Sequence, residues 1–227
     1  LNLPAGVYRN GTDLQSQGRW RDSNLVRWFD DTLRPIGGWR TRSDTASAGQ
    51  VRGMHSWIDN SSDRWISAGS YNKLYIYSGA GIQYDITPTG FTAGNEDALQ
   101  PVGYGNSFYG QEYYGTARQE SVTITPATTW SSDSWGQYLV ACSSSDGKVY
   151  EWQLNTGTIA AVIANAPVNN RSILVTEERF LMCLGAGGNP RLVQWSDRED
   201  NTVWTPAATN EAGSLELQTT GRIQCGV

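Results

Sequence analysis

The chain has one histidine, His55, among 227 residues, so a Ser-His-Asp relay or a histidine-based metal site has a single donor to draw on. No recognisable partners flank it, and the ordinary reading is a strand residue satisfied by its neighbours. Carboxylates cluster at Glu177-Glu178 and in Asp197-Arg-Glu-Asp-Asn201. A glycosidase needs two carboxyl groups held about 5 to 10 Å apart, or a tyrosine nucleophile with arginine clamps; adjacent carboxylates in loops are usually just solvated. The second cluster has the oxygen ligands Ca²⁺ favours but lacks the fixed spacing and glycine of an EF-hand loop, so it reads as a polar interstrand loop. Gly185-Ala-Gly-Gly-Asn-Pro190 lacks the lysine and following helix that phosphate cradling requires, and reads as a turn. These residues imply no enzyme, no cofactor and no metal. Cys142, Cys183 and Cys225 form an odd set at equivalent points of a repeat, too far apart for the roughly 4.4 to 6.8 Å of a disulfide. They are expected as free, buried thiols in strands, consistent with assembly in a reducing cytoplasm.

The elements that must position these residues are strands. Apolar and polar residues alternate in short runs bounded by Gly, Asn, Asp and Ser. Three hairpins stand out: Arg64–Ala68 with Lys73–Tyr77, Gln137–Cys142 with Lys148–Trp152, and Glu178–Cys183 with Arg191–Trp195. Asp146-Gly147 supplies a tight-turn signal in the second. Cys142 to Cys183 is 41 residues, Tyr138 to Phe180 is 42 and Trp152 to Trp195 is 43. A period near 42 built from short strands predicts four-stranded propeller blades. Tyr77 to Trp152 is 75 residues, and the excess coincides with a Gly/Tyr-rich stretch at about 90–119, read as an inserted loop or a degenerate blade. Arg222–Gly226 is the predicted opening strand of a fourth repeat. Because a propeller needs at least about four blades to close, the native polypeptide is expected to continue. The expected division is an extended segment over 1–48 and a partial all-β propeller over 49–227.

Composition narrows the function classes. With 22 acidic against 17 basic residues the net charge is -5, which excludes a generic DNA-coating protein. Up to residue 64, however, nine arginines face seven carboxylates. Arg19-Trp20-Arg21, Arg27-Trp28 and Trp39-Arg40 set guanidinium groups beside indoles, which can stack with about 0.5 to 2 kcal/mol and are enriched at interface hot spots. This segment, Arg34 included, is the expected contact surface for subunits or an adaptor. Tyr104, Tyr109, Tyr113 and Tyr114 of the insertion are a second candidate, read as protein-contacting because duplex DNA hides base faces. No run approaches the roughly 20 apolar residues of a membrane span.

Leu3-Pro-Ala-Gly-Val-Tyr-Arg-Asn-Gly-Thr12, Gly18–Trp28 and Leu33-Arg-Pro-Ile-Gly-Gly-Trp-Arg40 resemble the opening of bacteriophage tail proteins, the nozzle or tail-hub proteins of short-tailed phages, also described as packaged-DNA stabilisation or tubular proteins. Leu74–Tyr77, Tyr84–Pro88, Trp130–Gly136, Gln194–Asp197 and Trp204–Pro206 extend the likeness along the chain. The resemblance implies a structural virion protein, assembled in the host cytoplasm and residing in the tail. It implies a ring, a hexamer, below the portal and adaptor and above a fibre, spike or needle. Such a ring extends the conduit for double-stranded DNA without sequence-specific binding and helps retain and release the genome. A receptor- or glycan-binding propeller is the alternative, and a tail-associated glycosidase a third: Ser131–Gly136, and Ser196-Asp197 with Thr202 and Trp204, are similar to the Asp-box turns of sialidase propellers, with the internal order not kept.

Overall fold

The computed structural model describes residues 4–38, 40–99 and 124–226. Two compact units divide between Arg42 and Ser43, six residues before the expected boundary. The first unit is not simply extended. Strands β1 (Val26–Phe29) and β2 (Thr32–Pro35) form an antiparallel hairpin. Its two-residue loop, Asp30-Asp31, has positive φ at both positions, the backbone that matches the twist of flanking strands.

The second unit is all-β, built from three four-stranded antiparallel sheets. The first holds β3 (Met54–Ile58), β4 (Arg64–Gly69), β5 (Leu74–Ser78) and β6 (Gln83–Asp85) in sequence order. The second holds β7 (Trp130–Trp135), β8 (Tyr138–Ser143), β9 (Val149–Trp152) and β10 (Ala161–Val162). The third holds β11 (Ser172–Val175), β12 (Leu181–Leu184), β13 (Leu192–Trp195) and β14 (Gly213–Glu216). A 3-10 turn at Ala186–Gly188 is the only helical element among the described residues. No helix there is long and apolar enough to cross a membrane.

The predicted hairpins are the two middle strands of each sheet, and their registers follow from which faces are buried. Along β8, Leu139 and Ala141 pack toward the first sheet with Trp57, Leu74, Ile76 and Tyr150. Val140 and Cys142 pack toward the third with Ile173, Leu181 and Cys183. A strand covered on both faces reads as a continuous apolar run, which is why Tyr138–Cys142 lacks clean alternation. The indole nitrogens inside these layers find acceptors: Trp130 donates to the Ser70 carbonyl at 2.7 Å and Trp57 to that of Gln137 at 3.0 Å.

Three expectations are corrected. Arg222–Gly226 is not the opening strand of a fourth sheet: among the described residues no strand pairs with it, Ile223 N–H donates to the Pro190 carbonyl, and Gly226 lies against Leu174 and Leu184. Cys225, in that segment, is exposed, whereas Cys142 and Cys183 are buried. Ser131–Trp135 is a strand, with the turn confined to its end at Gly136. The insertion lies in the β6–β7 connection; its feet are joined by reciprocal hydrogen bonds between Leu99 and Thr125 at 2.9 and 3.1 Å, and residues 100–123 lie outside the described residues.

The contact between the first two sheets depends on absent side chains. A Cβ built on Gly69 would sit 2.2 Å from the Trp130 ring. Gly69→Ala is therefore expected to destabilise the second unit by about 1 to 3 kcal/mol through overpacking, measured by urea denaturation. An unchanged midpoint contradicts the packing described.

Candidate functional site

The first strands of the three sheets, β3, β7 and β11, lie next to one another. Each is an edge strand, and each exposes on its outer side backbone groups that no ladder satisfies. Strand β7 supplies partners to β11. The Ser131 hydroxyl donates to the Ile173 carbonyl at 2.9 Å and accepts from the Ile173 N–H at 3.2 Å, taking the place of a paired peptide. Two residues on, the Asp133 carboxylate accepts the Val175 N–H at 2.7 Å and, through its other oxygen, the Ser134 N–H at 2.8 Å. Both crossings span 42 residues, the sequence period itself. Between the first two sheets, Trp130 N–H donates to the Arg52 carbonyl at 3.2 Å and Ser134 Oγ meets His55 Nε2 at 2.8 Å.

The His55–Ser134 pair has the separation of a base and its nucleophile. What surrounds it is different from a relay. Asp133 is the carboxylate whose charge acts on the ring, yet both its oxygens are engaged by backbone amides. The imidazole is instead stacked on Trp57, with ring centres 5.9 Å apart and planes 18° from parallel. Burial holds His55 below its ordinary value, and Asp133 opposes that only in part. A neutral ring tying two sheets is the role this geometry supports. His55 is thus a strand residue as expected, but its partner comes from the next sheet.

The arginines and tryptophans expected at an interface fall in the first unit. Arg19, Arg21, Arg27, Arg34 and Arg40 are exposed, while Trp20 and Trp28 are half-buried. The expected Arg–indole stacks on Trp20 and Trp28 are not found among the described residues. Adjacent strand residues point to opposite faces, so Arg27 and Trp28 cannot share one. Arg19 lies over Tyr8 at 5.5 Å and Arg34 over Phe29 at 4.7 Å. Arg21 pairs with Asp13, and Arg9 with Asp22. Trp20 bridges Val7. Arg27 stands directly opposite Arg34 in the hairpin, two like charges on one face. Leu25, Phe29, Leu33 and Ile36 of the same unit are all exposed. Trp39, Tyr104, Tyr109, Tyr113 and Tyr114 lie outside the described residues.

The carboxylate clusters are engaged in turns. Asp197 accepts the Arg198 and Glu211 amides, and Asp200 accepts the Thr202 amide and hydroxyl, which lowers the Asp200 carboxyl below its usual range. Glu177 and Glu178 are exposed in the β11–β12 turn. Among the described residues no group of three or more His, Cys, Asp and Glu is placed to hold a metal. Burial pushes the Cys142 and Cys183 thiols well above the ordinary range, so neither is a ready thiolate. Sequence reasoning missed the Ser131 and Asp133 crossings; their signal was the polar run Ser131-Ser-Asp133 one period before Ile173 and Val175. Compared with known protein families, curated proteins and solved structures, the chain matches none.

Asp133→Ala removes the one acceptor that the described residues offer Val175 N–H and leaves a half-buried donor unpaired, for an expected loss of about 1 to 3 kcal/mol in unfolding free energy; wild-type stability of the variant contradicts the crossing. For His55 the folded state disfavours the proton, so the unfolded chain binds it first as pH falls. Stability is then expected to decline as pH drops through the ordinary imidazole value of 6.5. Denaturation curves between about pH 7.5 and 5.5 should show this decline in the wild type and a shallower one in His55→Gln. Equal slopes would remove His55 as the cause.

Proposed function

We propose that the chain is a structural, non-enzymatic protein of a phage tail, a nozzle or hub subunit whose second unit forms part of a β-propeller and whose first unit makes contacts in a ring. The observation that carries this reading is the side-by-side placement of the sheets' first strands, with the seam between the second and third sheets spanning one sequence period. The second and third four-stranded sheets begin 42 residues apart, the first begins 76 residues before the second with the β6–β7 insertion between them, and the three first strands lie side by side, β7 tied to β11 by bonds from Ser131 and Asp133 to residues 42 further on. Successive four-stranded antiparallel sheets with their first strands adjacent suit a propeller. The resemblance of the N-terminal motifs to tail nozzle proteins supplies the biological setting.

The first unit favours contact-making. Residues 1–42 carry seven arginines and four aspartates. Arg27 and Arg34 repel across the hairpin, and exposed Phe29, Leu33 and Ile36 lie close to them in sequence. A carboxylate-bearing, partly apolar partner relieves both costs, and the acidic remainder of a neighbouring copy has that character. In such an assembly the surplus of acidic residues leaves passing DNA unheld, since tight phosphate contacts would slow its exit. The partners above and below the ring are an adaptor and a fibre, spike or needle; the site is a virion tail assembled in the host cytoplasm.

Electron microscopy of the purified protein at increasing concentration is expected to find rings with a central channel, hexameric on the nozzle reading. Arg27→Glu with Arg34→Glu should leave the thermal unfolding of the second unit unchanged and abolish the rings. Monomers alone in the wild type at every concentration, or rings unaffected by the charge reversal, would refute the assignment of this contact surface.

A further inference from the structure

Two cavities of about 260 and 280 Å³ share a wall at the end of the second and third sheets, and Ser144, Ser145, Arg171 and Arg222 line both. The smaller also contains Asp146, whose carboxylate already accepts the Tyr150 hydroxyl and the Lys148 amide. Among the described residues the larger is lined by no acidic one. Asn95 and Thr128 add an amide and a hydroxyl to its lining, and Gly94 keeps it open, since a Cβ there would lie 2.0 Å from Thr128 Oγ1 and 2.7 Å from Ser145 Cβ.

Charge balance in this groove is incomplete. Arg171 is half-buried, and neither it nor Arg222 makes an ion pair with a described residue, in a chain where acidic residues outnumber basic ones. A guanidinium withdrawn from water is ordinarily compensated by an anion. Among the described residues none supplies one. Ser144 Oγ accepts from Thr129 N–H at 2.9 Å and from Thr129 Oγ1 at 3.3 Å, which leaves its own proton to donate. Two forked cations beside hydroxyl and amide groups match a ligand carrying one anionic group and several hydroxyls. The volume is several times that of a bare phosphate and approaches the roughly 300 Å³ at which small-molecule sites begin.

We propose that the larger cavity binds a hexose-sized sugar bearing one carboxylate or phosphate, with the anion on Arg171 and Arg222 and the hydroxyls on Ser144, Asn95 and Thr128. This site stands independently of ring assembly. It would let a tail protein engage an acidic surface polysaccharide without hydrolysing it.

The test is amide-resolved NMR titration of the whole chain with D-glucuronate, D-glucose 6-phosphate, D-glucose and inorganic phosphate. One acidic sugar is expected to shift the Ser144, Ser145 and Arg171 amides saturably, with a Kd on the order of 1 mM or tighter. Which of the two does so identifies the anionic group. Glucose and inorganic phosphate should bind at least about tenfold more weakly, and Arg222→Gln and Arg171→Gln should each weaken the acidic sugar by about tenfold. Arg222 is exposed, so its variant keeps the test valid if Arg171→Gln perturbs folding. No saturable shift with either acidic sugar, or shifts that survive Arg222→Gln, overturn the proposal. Equal binding of inorganic phosphate reduces the site to a simple anion site and overturns the sugar assignment.

Discussion

Everything in the second unit depends on how the open edge of each sheet's first strand is satisfied. An edge strand leaves alternate N–H and C=O groups without a ladder partner, and such groups either face water or invite another chain. In this protein the strands are brought close enough that water is displaced, so the edge of β11 must be answered by side chains of β7. Ser131 both gives and takes a hydrogen bond at Ile173, and Asp133 takes one from Val175. A carboxylate in that position is a stronger acceptor than a neutral group. The apolar layers on either side of β8 then pack at the spacing these bonds set.

The same constraint separates chemistry from architecture. Ser134 and His55 sit at a distance suited to proton transfer, but the carboxylate beside them is spent on backbone amides and the ring is held against Trp57. Polar side chains in this seam substitute for missing strand neighbours. That allocation suits the structural role proposed above. The arginine-rich hairpin of the first unit, with its facing like charges, has the opposite character: it is polar surface left uncompensated.

The middle strands of every sheet were legible because both carry strong signals, an apolar run buried on two faces and a turn of small residues between. The outer strands were not. β10 has two residues and β6 three, too short for alternation to show, and β7 is written largely in serine and aspartate. Its polarity made it look like a turn; the structure shows that those side chains serve a neighbouring backbone instead of solvent. Arg222–Gly226 failed for the converse reason: its apolar Ile223 and Cys225 and its place in the period suggested the opening strand of a fourth sheet, but among the described residues no strand pairs with it. Arg27 and Trp28 are adjacent in sequence but face apart in β1, and the Arg19 and Arg34 guanidinium groups lie over Tyr8 and Phe29. Arg171 and Arg222 were invisible as a pair, being 51 residues apart and joined only by folding.

Amide hydrogen exchange at Ile173 and Val175 tests the central claim most directly, because both amides lie on the side of β11 turned away from β12. If Ser131 and Asp133 close that edge, these two amides exchange as slowly as those of the β11–β12 ladder, through unfolding of the whole unit. Exchange at the rate of an open sheet edge would contradict the account.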